Sequence, residues 1–237
     1  MGRPLPKTVP PIGAPASPPD EDEIIERIYD AVMERRLPPG TRLREAALCE
    51  AFGVRRSRIR RSLLLLASRN IVELHANRGA SVSRPTAEEA RHVFEARRSV
   101  ETAVARLAAE RTDPRDLAKL ADHLCAEERA IHEGDRRRSI RLSGEFHMIL
   151  AEAAKNEVLH KVVRDLVARS SLIIAMYGAA GETCRTGEHG KLLRALRDYD
   201  AEAAARIMAD HLLSIEAQLD MAQPRAGGID LAQVLAR

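Results

Sequence analysis

Residues 53–63 read GVRRSRIRRSL, and five of these eleven residues are arginine. From Thr41 to Arg69 the chain carries eight arginines and two glutamates, whereas the whole chain of 237 residues has a net charge of only +3. The positive charge is therefore concentrated in one short region. Two interpretations compete: a solvated helix face that acids balance, or a surface built to bind a polyanion.

The segments on either side of this stretch predict a small three-helix domain with a hairpin. Acidic residues begin the first helix, where the helix dipole favours them, and Gly53 ends the second. The turn sequence ANRG separates two strand-like runs. The predicted elements are helices over 20–36, over 44–52 and from Ser57 onward, and strands over 71–74 and 80–83. Together they form a winged helix-turn-helix pattern over residues 20–84.

The exposed side of the third helix favours the polyanion. Arg56, Arg60 and Arg61 fall away from its apolar side, and no acid lies between Arg55 and Arg69 to balance them. A helix fits the major groove of DNA, which is about 12 Å wide, and arginine neutralises phosphates and reaches guanine edges. The sequence therefore predicts double-stranded DNA as a partner.

Composition sets the fold class and excludes several others. Aromatic residues make up only 3% of the chain and tryptophan is absent, and the abundance of alanine and leucine favours a mainly α protein. Cys49, Cys125 and Cys184 are scattered without a CxxC motif, which is typical of a reducing cytoplasm rather than a disulfide scaffold. No apolar run approaches the ~20 residues of a membrane span, and no signal peptide is evident. We expect a cytoplasmic protein with no membrane partner.

The rest of the chain divides into three segments. Residues 1–19 contain seven prolines and predict a disordered arm. Residues 85–222 predict an all-helical domain, and residues 223–237 a loosely held tail. The helices of the second domain are predicted over 86–111, 114–133, 136–154, 157–177, 186–198 and 201–221.

Three histidines fall on the apolar faces of three different helices in this second domain. His147, His189 and His211 each recur with alanine, leucine or isoleucine at helical spacing. A buried imidazole needs a polar partner, and one shared metal ion would satisfy all three. Three separate core histidines, each hydrogen-bonded to backbone, are the alternative.

Arg97 also lies on an apolar stripe, with Val93 and Val100. An inward arginine without an obvious acid nearby suggests a cavity that receives an anion. Pairing with a core acid such as Glu101 or Asp165 explains the pattern equally well.

The first domain resembles a known family. The segment LPPGTRLREAALCEAFGVRRSRIRRSLLLLASRNIVELHANRGASV, residues 37–82, is similar to the DNA-binding domain of the GntR superfamily of bacterial transcription regulators. In that family a glutamate- and leucine-containing helix precedes a GVSRTPVREAL motif and a glycine-tipped wing. The resemblance covers Ile24 to Val82 and implies DNA contacts by Arg55, Arg56, Ser57, Arg58 and Arg60, with Gly79 at the wing tip near the minor groove.

The positions at which this sequence departs from the family pattern affect which operator sequence we expect it to bind. Arg55, Ser57-Arg58 and Arg61 replace the family's serine, threonine-proline and glutamate, and Ala46 replaces a common arginine. The resemblance therefore implies a half-site that differs from the usual one, and the extra arginines raise the expected nonspecific affinity.

The second domain resembles the FCD effector domain of one GntR subgroup. The matching segments are VFEARRSVETAVARLAAE (93–110), SGEFHMILAEAAKNEVL (143–159) and GEHGKLLRALRDYDAEAAARIMADHL (187–212). Metal-containing members bind an ion through one aspartate and three histidines, which by position are Ser143, His147, His189 and His211 here. Ser143 offers a neutral hydroxyl, so we expect weaker binding of Zn²⁺ or Ni²⁺, completed by water or an effector carboxylate. In a metal-free member, the histidines would contact the effector directly.

The combined prediction is a mainly α, homodimeric transcription regulator, expected to be a repressor. An N-terminal winged helix-turn-helix would bind a pseudo-palindromic operator. A C-terminal antiparallel helical bundle would bind a small organic acid through Arg97 and Ser143. The alternatives are an architectural DNA binder without an effector and a metal-dependent hydrolase using Glu188 or Glu145 as the base.

Overall fold

The computed structural model describes residues 18–76, 79–178, 187–221 and 231–235. Within these ranges the chain is mainly helical, as the sequence predicts. The helices are α1 (Glu21–Met33), α2 (Glu45–Phe52), α3 (Arg56–Ser68), α4 (Ala87–Arg111), α5 (Pro114–His132), α6 (Arg136–Ala153), α7 (Glu157–Tyr177), α8 (Glu188–Arg197), α9 (Ala201–Ala217) and α10 (Leu231–Leu235). The strands are β1 (Arg42–Leu43), β2 (Val72–His75) and β3 (Gly79–Val82).

The first domain is a winged helix-turn-helix. Helices α1, α2 and α3 pack on a three-stranded antiparallel sheet of order β1-β3-β2. The Asp20 side chain accepts a hydrogen bond from Glu23 N at 2.9 Å and so caps α1. Gly53 ends α2 in the left-handed conformation, with φ of 65°. Because α2 ends abruptly at Gly53, α3 begins only three residues later, at Arg56.

The second domain is a bundle built around α4. This 25-residue helix packs on α9, α7, α6 and α8, and α5 packs on α6 and α8. Local caps set the boundaries: Thr86 and Asp113 form capping boxes with Glu89 and Asp116, and Asn156 caps α7. The predicted helices therefore agree with the observed ones to within a few residues. The mainly α class, with a winged domain before a helical bundle, is confirmed.

One apolar cluster crosses the boundary between the two domains, and a second cluster lies within the bundle. A single buried cluster joins α1–α3 and the sheet to the first turns of α4 and the last turns of α7. Polar contacts cross the same boundary: Arg35 Nε donates to the Ala175 carbonyl at 2.7 Å, and Arg137 pairs with Asp30. The winged domain is thus packed against the bundle rather than only tethered to it.

The C-terminal helix α10 packs on the winged domain. Leu231 and Leu235 are buried, one turn apart, against α2 and α1. Arg27 donates to the Leu235 carbonyl and Arg36 to the Val234 carbonyl. For residues 231–235 this differs from the loosely held tail that the sequence predicts, because two leucines at helical spacing fill a groove formed by distant residues.

The remaining predicted terminal segments lie mostly outside the description. Residues 1–17 of the predicted arm, residue 222 at the end of the predicted helical domain, and residues 223–230 and 236–237 of the predicted tail are outside the described residues. None of the helices in the described ranges combines the length and the hydropathy that a membrane-spanning segment needs.

Candidate metal centre and nucleic-acid interface

The bundle brings its three inward histidines together. His147 comes from α6, His189 from the first turn of α8 and His211 from α9, and each is at least 96% buried. His189 Nε2 lies 3.2 Å from His211 Nε2, which lies 3.4 Å from His147 Nε2. Three imidazole nitrogens from three helices therefore converge on one point, and their spacing meets the requirement for a shared cation.

A carboxylate oxygen lies close to the Nδ1 atom of each imidazole. His189 Nδ1 donates to Glu127 Oε2 at 2.8 Å, and His211 Nδ1 donates to Glu188 Oε2 at 2.8 Å. His147 Nδ1 lies 2.6 Å from Glu101 Oε2. An ionised carboxylate can only accept, so the contacts of His189 and His211 place a proton on Nδ1. The His147 contact lies outside hydrogen-bond geometry, since its Nδ1 has no hydrogen-bond partner among the described residues. In the neutral form of these imidazoles, Nε2 carries the lone pair and can donate it to a metal ion.

The donor spacing fits a metal ion. Zn–N bonds are about 2.0–2.1 Å long, so two nitrogens at a tetrahedral angle lie about 3.3–3.4 Å apart. The observed separations of 3.2 and 3.4 Å match this value. Lone pairs at these distances repel each other, and a cation placed between them turns that repulsion into coordination. The residues present therefore fit the metal that the resemblance implies.

Packing fixes the rings in place. The Phe146 ring stacks on His189, with centroids 4.0 Å apart and planes 11° from parallel. Burial lowers the pKa of His147 to about 3, with a further contribution from the charge of Arg97, although Glu101 opposes both. His147 is therefore neutral at pH 7, which is the form that binds a metal.

Arg97 has an acid partner after all. Its Nε lies 2.5 Å from Glu101 Oε1 and its Nη1 donates to Ser170 Oγ at 3.0 Å, with both charged residues buried. Burial alone would raise the pKa of Glu101, but Arg97 and His147 outweigh it and hold that pKa well below its usual range. Asp165, the other acid considered, pairs loosely with Arg164 on the surface. Of the two interpretations of Arg97, the structure supports pairing with Glu101.

Ser143 lines a small cavity beside the cluster. The cavity has a volume of about 30 Å³ and is bordered by Arg97, Ser143, His147, Ile174 of α7 and Gly178, which follows α7. This is room for one or two water molecules rather than for an organic acid. Ser143 lies one turn before His147, as the resemblance implies, but the close-set donor group comprises the three histidines alone among the described residues.

Sequence reasoning did not find the carboxylates behind the imidazoles. Glu127 is buried on the same stripe of α5 as Leu120 and Ala130, so its position at helical spacing was a usable signal. Glu188 precedes His189 directly, and Glu101 follows Arg97 by one turn. These local signals indicate inward carboxylates, but which histidine each one meets depends on the packing of different helices.

The arginine-rich helix presents its first turns to solvent. Arg55, Arg56, Ser57 and Arg60 are all exposed at or near the N-terminus of α3. Acids outside the helix reach two of them: Glu45 on α2 lies 3.1 Å from Arg56 Nε and 2.9 Å from Arg60 Nε.

Arg61 likewise pairs with Glu21 at 2.5 Å. The expectation of unbalanced charge was therefore wrong, because the balancing acids come from α1 and α2 rather than from α3 itself. Even so, these arginine side chains remain about 60% exposed.

Two other predicted DNA contacts have structural partners. Arg58 donates to the Pro19 carbonyl at 2.7 Å and is only partly exposed. Gly79 is the first residue of β3, paired with His75, and not the tip of the hairpin. Its φ of 82° and the Leu43 carbonyl, which would lie 2.6 Å from an added Cβ, both require glycine. The roles of Arg58 and Gly79 at DNA stay predictions.

Comparison with known proteins places this geometry in a family. The model of the FCD domain matches residues 92–214, and that of bacterial regulatory proteins of the gntR family matches residues 21–82. The chain belongs to the GntR family of bacterial regulatory proteins. It is a DNA-binding transcription regulator of the FCD type and not an enzyme, which sets aside the hydrolase alternative.

Individual relatives and solved structures agree with this membership. The HTH-type regulator YdhC of Bacillus subtilis is 28% identical over 193 residues, covering 80% of this chain and 86% of its own. The HTH-type transcriptional repressor RspR of Escherichia coli K12 is 23% identical, covering 83% and 87%. A putative GntR regulator from Rhodococcus sp. RHA1 superimposes with a TM-score of 0.70 at 25% identity, covering 84% and 96%. Escherichia coli McbR/YncC, at 21% identity and a TM-score of 0.68, shares the fold, covering 84% and 97%.

Proposed function

We propose that this regulator holds a divalent metal ion in its helical domain and uses that site to control DNA binding. The supporting observation is the convergence of His147, His189 and His211, with each Nδ1 facing a carboxylate. Carboxylate–histidine–metal chains of this kind orient imidazole ligands in metalloproteins. A bound cation would supply positive charge and an open position for an oxygen of water, Ser143 or an effector.

Three neutral imidazole nitrogens suit either Zn²⁺ or Ni²⁺ as the bound ion.

Metal analysis of the purified protein tests the site. His189→Ala removes one of three donors, so we expect it to lose most bound Zn²⁺ in elemental analysis after dialysis. The exposed His132 at the end of α5 provides the matched control, and His132→Ala should retain the metal. Full metal content in His189→Ala would refute the site assignment.

The winged domain would bind a pseudo-palindromic operator as a homodimer. The exposed start of α3 would enter the major groove, with Arg55, Arg56, Ser57 and Arg60 on phosphates and base edges. On binding, Arg56 and Arg60 would exchange Glu45 for DNA. Action as a repressor is supported by the similarity to RspR, whose name describes a repressor.

Effector entry would be coupled to the domain boundary. An organic acid needs more space than the cavity of about 30 Å³ offers, so its binding would displace a wall. One wall residue, Gly178, also accepts a hydrogen bond through its carbonyl from Arg35 of the winged domain. Widening the cavity at this point would strain the contact that holds α1, and small helix shifts of this kind change the spacing of DNA-binding domains.

The small cavity also favours a second candidate, an architectural DNA binder without an organic effector. Thermal melting of the metal-loaded protein against a panel of mono-, di- and tricarboxylic acids separates the two. A concentration-dependent rise in Tm supports the sensor, because a ligand that binds only the native state stabilises it. An unchanged Tm across the panel supports the architectural protein.

A further inference from the structure

We infer that Glu127 is a positioning residue of the metal centre: it fixes the tautomer and orientation of His189 and contributes negative charge that favours a bound divalent cation. The inference rests on the proposed metal site. It gives a role to α5, a helix that contributes none of the three nitrogen donors.

The surroundings of Glu127 are those of a carboxylate that needs compensation. Its side chain is 98% buried, and Oε2 accepts the Nδ1–H of His189 at 2.8 Å. Its Oε1 is buried without a hydrogen-bond partner among the described residues. A single hydrogen bond does not offset the burial of an ionised carboxylate, because the lost hydration costs several kcal/mol. A cation held next to the His189 ring would supply the missing stabilisation.

The buried arginine of the bundle does not supply this compensation. Arg97 forms a 2.5 Å ion pair with Glu101, so these two charges cancel each other. A divalent cation at the point where the three Nε2 atoms meet would place positive charge across the His189 ring from Glu127.

Glu127 is more deeply buried than Glu188, the carboxylate that contacts His211. Glu188 is 20% exposed and water screens it partly, whereas Glu127 is only 2% exposed. Its charge acts through the His189 ring on the point where the three Nε2 atoms meet, and a low-dielectric environment strengthens that action. The negative charge that an aspartate at position 143 would bring is thus present on a different helix.

The same carboxylate determines which way His189 points. The ring is held between the Glu127 hydrogen bond on Nδ1 and the stacked Phe146 ring on its face. A 180° flip about the Cβ–Cγ bond would keep the stacking but would lose the hydrogen bond and turn Nε2 away from His211. Glu127 therefore selects the productive orientation, and Phe146 restricts the tilt.

Two substitutions separate charge from orientation. Glu127→Gln keeps an oxygen that accepts from Nδ1–H but removes the charge, and Glu127→Ala removes both. The neighbouring Glu128 is exposed on the same helix, so Glu128→Gln is the matched control. The full chain is stripped of metal, circular dichroism verifies that each variant is folded, and Zn²⁺ affinity is measured by competition with a chromophoric chelator. The absorption spectrum of the Co²⁺-loaded protein reports the coordination geometry.

We expect Glu127→Gln to bind Zn²⁺ about 10- to 100-fold more weakly with an unchanged Co²⁺ spectrum. Glu127→Ala should lose more affinity and shift the spectrum, and Glu128→Gln should match the wild type. Wild-type affinity and spectrum in both Glu127 variants, while His189→Ala loses the metal, would overturn this inference and leave the proposed site intact. Absence of Zn²⁺ and Co²⁺ binding by the wild type would instead refute the metal site itself.

Discussion

Arginine serves two opposite purposes in this molecule. Arg97 is buried and fully committed to Glu101 and Ser170, so it organises the core of the bundle. Arg56 and Arg60 are exposed and share one carboxylate, Glu45, from the preceding helix. Exposed ion pairs of this kind contribute only about 0–1 kcal/mol. The surface pairs can therefore be exchanged for phosphate contacts, whereas the buried one cannot be opened cheaply.

The proposed replacement of the Glu45 ion pairs by DNA contacts predicts how removal of the Arg60 side chain changes DNA affinity. Arg60→Ala should weaken binding to a duplex selected from a random-sequence pool by about 1–3 kcal/mol if the side chain reaches a base. If it contacts only phosphate, the slope of log K against log salt should fall by about one unit on any duplex. Fluorescence anisotropy over a salt series measures both. Arg69→Ala, at the exposed far end of α3, is the control, and equal affinity and slope for wild type and Arg60→Ala would remove Arg60 from the interface.

Secondary-structure elements differ in how much of their role can be predicted from their own sequence. Caps such as Thr86, Asp113 and Asn156 lie next to the helices they begin, so periodicity and capping predict α4 to α9 closely. Helix α10 contains the same kind of local signal, two leucines one turn apart. Its docking groove, however, is formed by α1 and α2, almost two hundred residues earlier. The local sequence therefore indicates the helix but does not predict the groove in which it docks.

Docking of α10 predicts that its leucines stabilise the winged domain. Leu235→Ala removes a side chain that is 1% exposed and should lower the free energy of unfolding by about 2–5 kcal/mol. Leu213→Ala makes the same chemical change at a 49% exposed position of α9 and should cost under about 0.5 kcal/mol. Urea unfolding, followed by circular dichroism, measures both. Equal stability of the two variants would show that α10 does not pack on α1 and α2 in solution.

The candidate site shows the same limit of prediction. The inward direction of His147, His189 and His211 follows from spacing within each helix. Glu127 meets His189 across 62 residues and Glu45 meets Arg60 across 15. Such pairings arise when helices pack, so a stripe on one helix cannot reveal them. The family resemblance indicated the histidine set, but it gave no carboxylate behind each ring.

At the scale of the whole molecule, the two domains form one packed unit with a polar contact at its boundary. Arg35 adopts a left-handed backbone, with φ of 60°. From there its guanidinium reaches the carbonyls of Ala175 and Gly178 at the end of α7. Burial lowers the pKa of Arg35, although it remains charged at any physiological pH. The C-terminal end of α7 thus contacts the winged domain and also forms part of the cavity wall.

This arrangement predicts that Arg35 couples metal loading to DNA binding. Arg35→Gly deletes the guanidinium while keeping the left-handed backbone, which glycine adopts freely. The ratio of duplex Kd values with and without Zn²⁺ should move towards one in this variant. Asn70→Gly, at another left-handed position in the winged domain, should leave the ratio as in the wild type. A wild-type ratio in Arg35→Gly would exclude this contact as the route between the domains.

The pairing of Glu45 with two arginines of α3 has a kinetic consequence on a chromosome. If Arg56 and Arg60 contact phosphates as proposed, every encounter with DNA must first break these pairs, which lowers affinity by up to about fivefold per pair. The loss is the same at random sequence and at the operator, so it leaves the ratio of the two affinities unchanged. It shortens the time spent at each random position, so the regulator visits more positions in a given time before it reaches the operator.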